Sequence, residues 1–208
     1  MLRDWLDADL PHLPGLFDAP DIAANTDIPS PFDADAFLVR IRRRRAQGIV
    51  DLAVTRDGGE PLGLVALHVA IGVLGYAIGP AHRGRGMASR ALRLMTSFCH
   101  EELGLTRLRL SIVQGNLPSQ RVAESAGYVR SDDEVVERTN GLGQPKLLET
   151  WHRIAPGTSG WQRPDTTRVI GAAGGGRVWD DASVDYRHDP TRRDLRDGKG
   201  DLHTVHLG

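Results

Sequence analysis

The sequence has a single cysteine, few aromatic residues and no clear excess of either charge. Cys99 is the only cysteine among 208 residues, so an internal disulfide or a paired-cysteine metal or redox site cannot form. A lone thiol fits a reducing cytoplasm, which is the compartment we expect. The formal net charge of -1 gives no general attraction to nucleic acid or to a membrane surface. We therefore expect neither of them as a partner.

The longest uncharged stretch is interrupted by glycines. Residues 62–79 read LGLVALHVAIGVLGYAIG, which is long enough for a membrane span of about 18 residues. Glycines recur along it, however, and β-branched residues surround Gly72. We therefore predict two short buried strands joined at Gly72 and no membrane span. The acidic and polar residues at the amino terminus predict no export signal.

From residue 1 to about residue 154 the pattern alternates between helical and strand periods, which is typical of one α/β domain. We expect a short helix that ends near Phe17, a linker at residues 19–31 and a second helix that begins at Asp33 or Asp35. Residues 48–79 predict an antiparallel meander of three strands.

An amphipathic helix after the meander is expected to end at Gly104, and a strand should follow it at residues 106–113. A short helix should then begin at Pro118, and a last strand pair should turn near Asn140. Residues 155–208 are rich in Gly, Asp and Arg and lack apolar periodicity. We predict that they form a loosely ordered tail.

The stretch GPAHRGRGMASRAL, residues 79–92, places a glycine-rich turn directly before the amphipathic helix. In such a turn, unpaired N–H groups and the positive end of the helix dipole point at one place, which favours a bound anion. Gly84 and Gly86 allow close approach of the main chain, and Arg83 and Arg85 add charge. The spacing fits neither a P-loop nor a dinucleotide-binding pattern. Taken alone, the turn is equally typical of a tight strand-to-helix connection.

Two spaced motifs make this region resemble the GNAT superfamily of acyl-CoA N-acyltransferases. The family's pyrophosphate loop, [QR]xxGx[GA], is matched by Arg83, Gly86 and Ala88. The NxxSxxVxExxGY stretch at residues 116–128 resembles the branch that contains the ribosomal-protein N-terminal acetyltransferases (RimJ/RimL-like). The resemblance is close over residues 74–128, looser over the rest of the first 154 residues and absent from the tail.

The resemblance implies an α/β fold of the GNAT type, with a mixed, mainly antiparallel central sheet whose strands splay and are flanked by helices. It implies acetyl-CoA as cosubstrate and no metal. CoA would lie between the splayed strands, with its pyrophosphate on the turn and its pantetheine arm along main-chain groups that also polarise the thioester. The cofactor-binding residues implied are Ala77, Ile78, Gly79, Arg83, Gly84, Arg85, Gly86, Met87, Ala88 and Asn116.

The reaction implied by the resemblance is direct attack of a neutral primary amine on the thioester. Ser119 matches the position at which this branch places the proton donor for the leaving thiolate, and helix capping is its alternative role. The tyrosine that many other members use is missing, because Ala123 stands at its position. Many relatives carry a carboxylate that aligns with Leu74 here, so the general base is unidentified. His68 is the nearest titratable residue on the neighbouring strand, and a structural role stays open for it.

The acceptor implied is a protein N-terminus or a small-molecule amine such as an antibiotic or a polyamine. We expect it to bind at residues 18–37 together with residues 139–145. The arginine-rich run at Arg40–Arg45 is typical of a solvated helix face, although contact with RNA or an acidic acceptor is the alternative. A homodimer stays open. The alternative function is a non-catalytic acyl-CoA-binding sensor or partner-binding protein whose tail is the functional surface.

Overall fold

The computed structural model describes residues 1–157 and, beyond them, only the backbone of two short strands at Leu195–Arg196 and Leu202–His203, which pair antiparallel. The predicted loosely ordered tail at 155–208 lies almost entirely outside the described residues. The described helices all lie within residues 1–157.

Helices and strands alternate along the described chain. The α-helices are α1 (Leu13–Phe17), α2 (Pro20–Asn25), α3 (Ala34–Ala46), α4 (Met87–Glu101) and α5 (Leu117–Ser125), with 3-10 turns at Asp7–His12, Val69–Ile71 and Pro80–His82. The strands are β1 (Leu2–Arg3), β2 (Ile49–Thr55), β3 (Pro61–His68), β4 (Val73–Ile78), β5 (Arg107–Val113), β6 (Val129–Arg130), β7 (Val136–Thr139) and β8 (Pro145–Ile154). The distal pair is β9 and β10.

The helix α2 corrects the linker that we expected between the first two helices. Pro20 opens α2, because its fixed φ suits a first helical turn and it has no N–H to leave unsatisfied. Ile22 and Ala23 are buried, so the short helix contributes to the core. The next helix begins as predicted: the Asp33 carboxylate accepts a hydrogen bond from the Ala36 N–H at 2.9 Å.

The strands form one mixed sheet in the order β1-β2-β3-β4-β5-β8-β6, with β7 on the other part of β8. Only the pairing of β4 with β5 is parallel in this sheet, so the prediction of a mainly antiparallel sheet with flanking helices is confirmed. The meander is also confirmed, and Gly72 joins its last two strands with a φ of 63°. Across residues 1–157 no helix is long and apolar enough to cross a membrane.

Two apolar layers cover the two faces of the sheet. One lies under α4 and α5, and the other lies under α1 to α3. On α4, Ala91, Leu92, Met95, Thr96 and Cys99 are buried, whereas Phe98 is 48% exposed.

A clasp closes the β7–β8 turn onto α2 and the loop after it. The Gly141 N–H donates to Ala23 O at 2.8 Å and to Thr26 O at 3.0 Å, and the Ser30 N–H donates back to Gly141 O at 3.0 Å. The approach is so close that a Cβ on Gly141 would lie 1.8 Å from Ile28 O. The clasp therefore brings together the two segments that we expected to bind the acceptor.

Replacing Gly141 with alanine should open this clasp. The new methyl group would overlap Ile28 O, and overpacking of this kind costs about 1 to 3 kcal/mol. We expect a lower urea midpoint and faster hydrogen exchange at the Ser30 N–H, whose acceptor moves away. The matched control is Gly143→Ala in the same turn, where φ is 74° and the Cβ meets nothing. It should lose about 1 kcal/mol to backbone strain with Ser30 exchange unchanged. Equal Ser30 exchange in both variants would contradict the clasp.

Candidate active site

The parallel strands β4 and β5 separate soon after they begin. Their register consists of Val73 with Arg109 and Leu74 with Leu110. Beyond Leu74, the described residues pair β4 only with β3. The resulting opening lies at the carboxyl ends of both strands, which is also where α4 and α5 begin. A crevice at the carboxyl ends of parallel strands is a common ligand site in α/β proteins.

Alternate residues of β4 direct their main-chain groups into this opening. The Gly79 N–H donates to Leu62 O at 3.0 Å, which makes Ile78 and Gly63 a non-hydrogen-bonded pair of the antiparallel ladder. Main-chain groups of Ile78, and of Tyr76 two residues earlier, therefore point away from β3 and towards the opening. Two central-strand N–H groups thus lie along its edge.

This register corrects part of the predicted pantetheine site. Ala77 is the hydrogen-bonded neighbour of Leu64, so its main-chain groups belong to the β3 ladder. Gly79 is committed as well, because its N–H goes to β3 and its carbonyl accepts from the His82 N–H at 2.9 Å. Of the three residues named from the sequence for this edge, only Ile78 presents its N–H group at the opening, and Tyr76 joins it.

The glycine-rich turn adds a second set of N–H groups at the mouth of the opening. Gly84 and Gly86 have φ values of 73° and 71°, a left-handed conformation that glycine adopts without strain. Within residues 1–157 no N–H group from Gly84 to Ala88 has a hydrogen-bond partner, and no side chain caps α4. These groups and the positive end of the α4 dipole form a suitable site for a phosphate group.

Arg83 stabilises the turn through contacts within the protein. Its Nε donates to Ile78 O at 2.9 Å, and its Nη1 forms an ion pair with Asp21 at 2.6 Å. The turn is therefore tied to the end of β4 and to α2. Arg85 is exposed and lies outside the groove. Arg83 nevertheless lines the groove, and Arg121 of α5, which neither motif marks, lines it as well.

A groove of about 1920 Å³ joins the turn, the splayed strands and the clasp. It brings together most of the site residues named from the sequence, and Gly79 and Arg85 are the two that it leaves out. The named residues that line it are Ala77, Ile78, Arg83, Gly84, Gly86, Met87, Ala88, Asn116 and Ser119.

Ser119 lies in the first turn of α5 and meets a tyrosine from β4. Its Oγ is 2.9 Å from the Tyr76 hydroxyl, which also donates to Ser119 O at 2.9 Å. Asn116 caps α5, since its Oδ1 accepts from the Ser119 N–H at 3.2 Å, and its Nδ2 donates to Asn25 Oδ1 at 2.9 Å. Asn116, and not Ser119, therefore caps α5. Both the oxygen and the nitrogen of the Asn116 side-chain amide are hydrogen-bonded within the protein.

Small side chains form the floor of the groove on the α1–α3 face of the sheet. Asp51 pairs with Ala66 and Ala66 pairs with Gly75, so the three residues form one row across β2, β3 and β4. A strand spacing of about 4.8 Å puts the Asp51 Cα about 10 Å from the Gly75 Cα. A Cβ on Gly75 would meet nothing within 4 Å. The row leaves an open path from the splayed edge to the Asp51 carboxylate, and His68 lines the same groove.

The carboxylate at the end of this row is buried and paired. The Asp51 side chain is 3% exposed, and its Oδ2 accepts from Arg44 Nε at 2.9 Å. Burial raises the pKa of the Asp51 carboxyl above its ordinary value, although the Arg44 charge opposes the rise. Asp51 belongs to neither of the two sequence motifs. The available signal was an acid at an inward position of an alternating strand, between the buried residues Ile49 and Ala53.

Carboxylates of the same chain neutralise most of the arginine-rich run on α3. The ion pairs are Arg40 with Asp27, Arg42 with Asp7, Arg44 with Asp51 and Arg45 with Asp4. The run is therefore more than the freely solvated face that we predicted, because it ties α3 to the amino-terminal segment and to β2. Among residues 1–157 no group of three His, Cys, Asp or Glu side chains could hold a metal ion.

Comparison with known proteins agrees with this geometry. The family model for the acetyltransferase (GNAT) domain matches residues 1–129. The chain belongs to the GNAT acetyltransferase family. A curated relative in Bacillus subtilis (strain 168), named "Probable N-acetyltransferase YjcK", is 38% identical over 55 residues. That match spans 26% of this chain and 30% of the relative's length.

Solved GNAT structures share the fold of this chain. A ribosomal-protein-alanine N-acetyltransferase from Brucella melitensis has a TM-score of 0.57 at 19% identity, covering 74% of this chain and 99% of the other. The spermidine N-acetyltransferase from Vibrio cholerae, in complex with CoA and spermine, has a TM-score of 0.61 at 17% identity, covering 74% and 94%. Because proteins named for different acceptors match this GNAT chain about equally, the likeness does not single out the RimJ/RimL-like branch.

Replacing Gly84 with alanine should weaken CoA binding. The residue has positive φ, so alanine strains the turn by about 1 to 2 kcal/mol and brings a methyl group among the free N–H groups. We expect at least about a tenfold loss of CoA affinity in calorimetric titration. The matched control is Gly104→Ala after α4, which has a φ of 66° and equally open space for a Cβ. Equal CoA affinity in the two variants would rule out the turn as the phosphate site.

Proposed function

We propose that this chain is an acetyl-CoA-dependent N-acetyltransferase that moves an acetyl group to a primary amine by direct attack on the thioester. The observation that carries the proposal is the separation of β4 from β5 next to a turn whose N–H groups have no partner in the described part of the chain, residues 1–157. The turn suits a pyrophosphate, and the open edge of β4 suits the amides of a pantetheine arm. The single cysteine, buried in α4, supports a cytoplasmic location.

Main-chain donors are available for the thioester carbonyl. When the amine attacks, negative charge develops on the carbonyl oxygen, and fixed N–H groups aimed at it lower the barrier. The N–H groups of Tyr76 and Ile78 face the opening and fill this role in the proposal. Ser119 then donates a hydrogen bond to the departing sulfur, whose ordinary thiol pKa of about 8.5 makes it a tolerable leaving group.

The acceptor amine approaches along the row of Asp51, Ala66 and Gly75. An amine must lose a proton to react, and the row is long enough for the amine and one bridging water to lie between the splayed edge and the carboxylate. We assign Asp51 as the base that takes this proton. An α-amine, with a pKa of about 7.7 to 8.0, needs less help from a base than a lysine amine near 10.4.

The acceptor class that we propose is a protein N-terminus or a small primary amine. The NxxSxxVxExxGY motif supports the RimJ/RimL-like branch and hence an N-terminal acceptor. The row of Asp51, Ala66 and Gly75 lies beneath the clasp and suits an acceptor with a narrow reactive end. An extended N-terminus and an alkyl amine both have such an end.

Thiol release from acetyl-CoA tests the enzyme proposal. Separate wells would offer peptides with Ala, Ser, Thr and Met N-termini, free lysine, polyamines and aminoglycosides, and mass spectrometry would identify the acetylated product. We expect release with one acceptor class and an equal amount of acetylated amine. Saturable acetyl-CoA binding without release in any well would overturn the proposal and favour the sensor function.

Asp51→Asn tests the assigned base. An amide cannot accept the proton, so we expect turnover to fall about a hundredfold. In the wild type, kcat/KM should decline as the pH falls through the Asp51 pKa, because the protonated carboxyl is no longer a base, and this decline should vanish in the variant. In this variant Arg44 still has an ion-pair partner, the Asp27 carboxylate at 3.9 Å, so we expect the fold to be retained.

The matched control for this variant is Asp9→Asn. Asp9 is also a buried carboxylate paired with an arginine, at 2.7 Å from Arg3, but it lies outside the groove. It should lose stability and keep both its turnover and its pH profile. A wild-type rate and pH profile in Asp51→Asn would reduce Asp51 to a structural partner of Arg44.

A further inference from the structure

We propose that Tyr76 positions the Ser119 hydroxyl for its hydrogen bond to the leaving sulfur, so that β4 supplies the phenol that α5 lacks at Ala123. This inference rests on the proposed transferase function and adds a residue to it that neither motif contains. The Tyr76 side chain is a positioning group in this scheme, because its phenol acts through Ser119 and not on the substrate, whereas the main-chain N–H of the same residue is unaffected by changes to the phenol.

The phenol bridges the two elements that border the opening. Tyr76 stands two residues beyond Leu74, where β4 has left β5, and its ring packs against the core cluster beneath α4 and α5. Its hydroxyl lies 2.9 Å from both the Oγ and the main-chain carbonyl oxygen of Ser119. Because both contacts are with one residue, the phenol limits the directions in which the Ser119 hydroxyl can point.

The two hydroxyl groups have two proton arrangements. In the first, the Tyr76 O–H donates to Ser119 O, and the Ser119 O–H donates to the phenolic oxygen. In the second, the Tyr76 O–H donates to Ser119 Oγ, and the Ser119 proton is directed at the sulfur. The change rotates two O–H bonds, moves no heavy atom and strengthens Ser119 as a donor, because an accepted hydrogen bond polarises the hydroxyl.

The reaction remains balanced with this pair. The C–N bond forms and the C–S bond breaks, the electron pair of the C–S bond stays on sulfur, and the amine proton goes to the base. Burial raises the pKa of Tyr76 to about 12, while its hydrogen bond with Ser119 opposes the rise. The phenol therefore stays protonated near neutral pH and acts as a hydrogen-bond donor throughout.

The small residue at position 123 of α5 is consistent with a phenol supplied by Tyr76 of β4. Ser119 and Ala123 are four residues apart in α5 and share a face of the helix. Ala123 is fully buried in the same core cluster against which Tyr76 packs. Its methyl group takes little of the space on that face, which leaves room for the ring of Tyr76.

Tyr76→Phe removes the phenolic oxygen and keeps the ring. We expect kcat to fall about tenfold with the KM for acetyl-CoA unchanged within about twofold. The matched control is Tyr128→Phe: the Tyr128 hydroxyl is also 2.9 Å from a side-chain hydroxyl, that of Thr96, but this pair is buried outside the groove. Tyr128→Phe should lose comparable stability in urea unfolding and keep its kcat.

A double-mutant cycle with Ser119→Ala separates positioning from an independent effect. If Tyr76 acts through Ser119, the double variant should be no slower than Ser119→Ala alone. Additive losses, or an unchanged kcat in Tyr76→Phe, would overturn the role of Tyr76 while leaving the transferase proposal intact. A wild-type protein that releases no thiol with any acceptor would overturn the transferase proposal and this inference together.

Discussion

The parallel pairing of β4 with β5 ends after two residues, and the organisation of the groove depends on that early separation. Main-chain N–H and C=O groups need partners, and a central strand that leaves its neighbour presents unpaired ones along its edge. In β4 those groups belong to Tyr76 and Ile78, and within residues 1–157 only Ile78 O has a partner, Arg83. Two helices begin at the same end of the sheet, and the turn that opens α4 adds N–H groups that have no partner within residues 1–157. The fold thereby concentrates hydrogen-bond donors in one crevice.

The two halves of the sheet are held apart by strong pairing within each half. On one side β3 and β4 pair over six residues, and on the other β5 and β8 pair over seven. Individual hydrogen bonds cross the opening from Tyr76 to Ser119 and from Asn116 to Asn25, and those of the clasp join the β7–β8 turn to α2 and the loop after it. Each is worth about 0.5 to 1.5 kcal/mol, far less than the ladders. The opening is therefore determined by how the strands pair, and the side-chain hydrogen bonds across it adjust its width and align the groups on its two sides.

The parts of the molecule that the sequence predicted are those determined by local patterns. Alternating apolar residues predicted the meander, the 3.6-residue period of apolar residues predicted α4, and closely spaced glycines predicted the turn before it. The features that were missed concern longer-range relations. The ion pair of Arg83 with Asp21 joins residues 62 positions apart, and the pairing of Asp51 with Arg44 depends on how α3 lies against β2. Tyr76 was passed over because only the ladder register shows that its side chain reaches α5. The helix α2 is too short for a periodic signal to distinguish it from a linker.

Because local patterns are easier to predict than longer-range relations, family membership says less about the acceptor than about the cosubstrate. The proposed CoA side of the groove is built mostly from main-chain N–H groups. Their placement needs glycines and a helix start but few particular side chains, so a short motif is enough to predict it. The proposed acceptor side is built from side chains on β2, β3 and α3 and from a clasp in which Gly141 meets α2. Substituting one inward-facing residue there changes the charge or the length of the floor and leaves the glycine-rich motif unchanged. Chains with the same glycine-rich turn can therefore differ in acceptor, and we expect such differences to arise in the row from Gly75 to Asp51 and in the clasp above it.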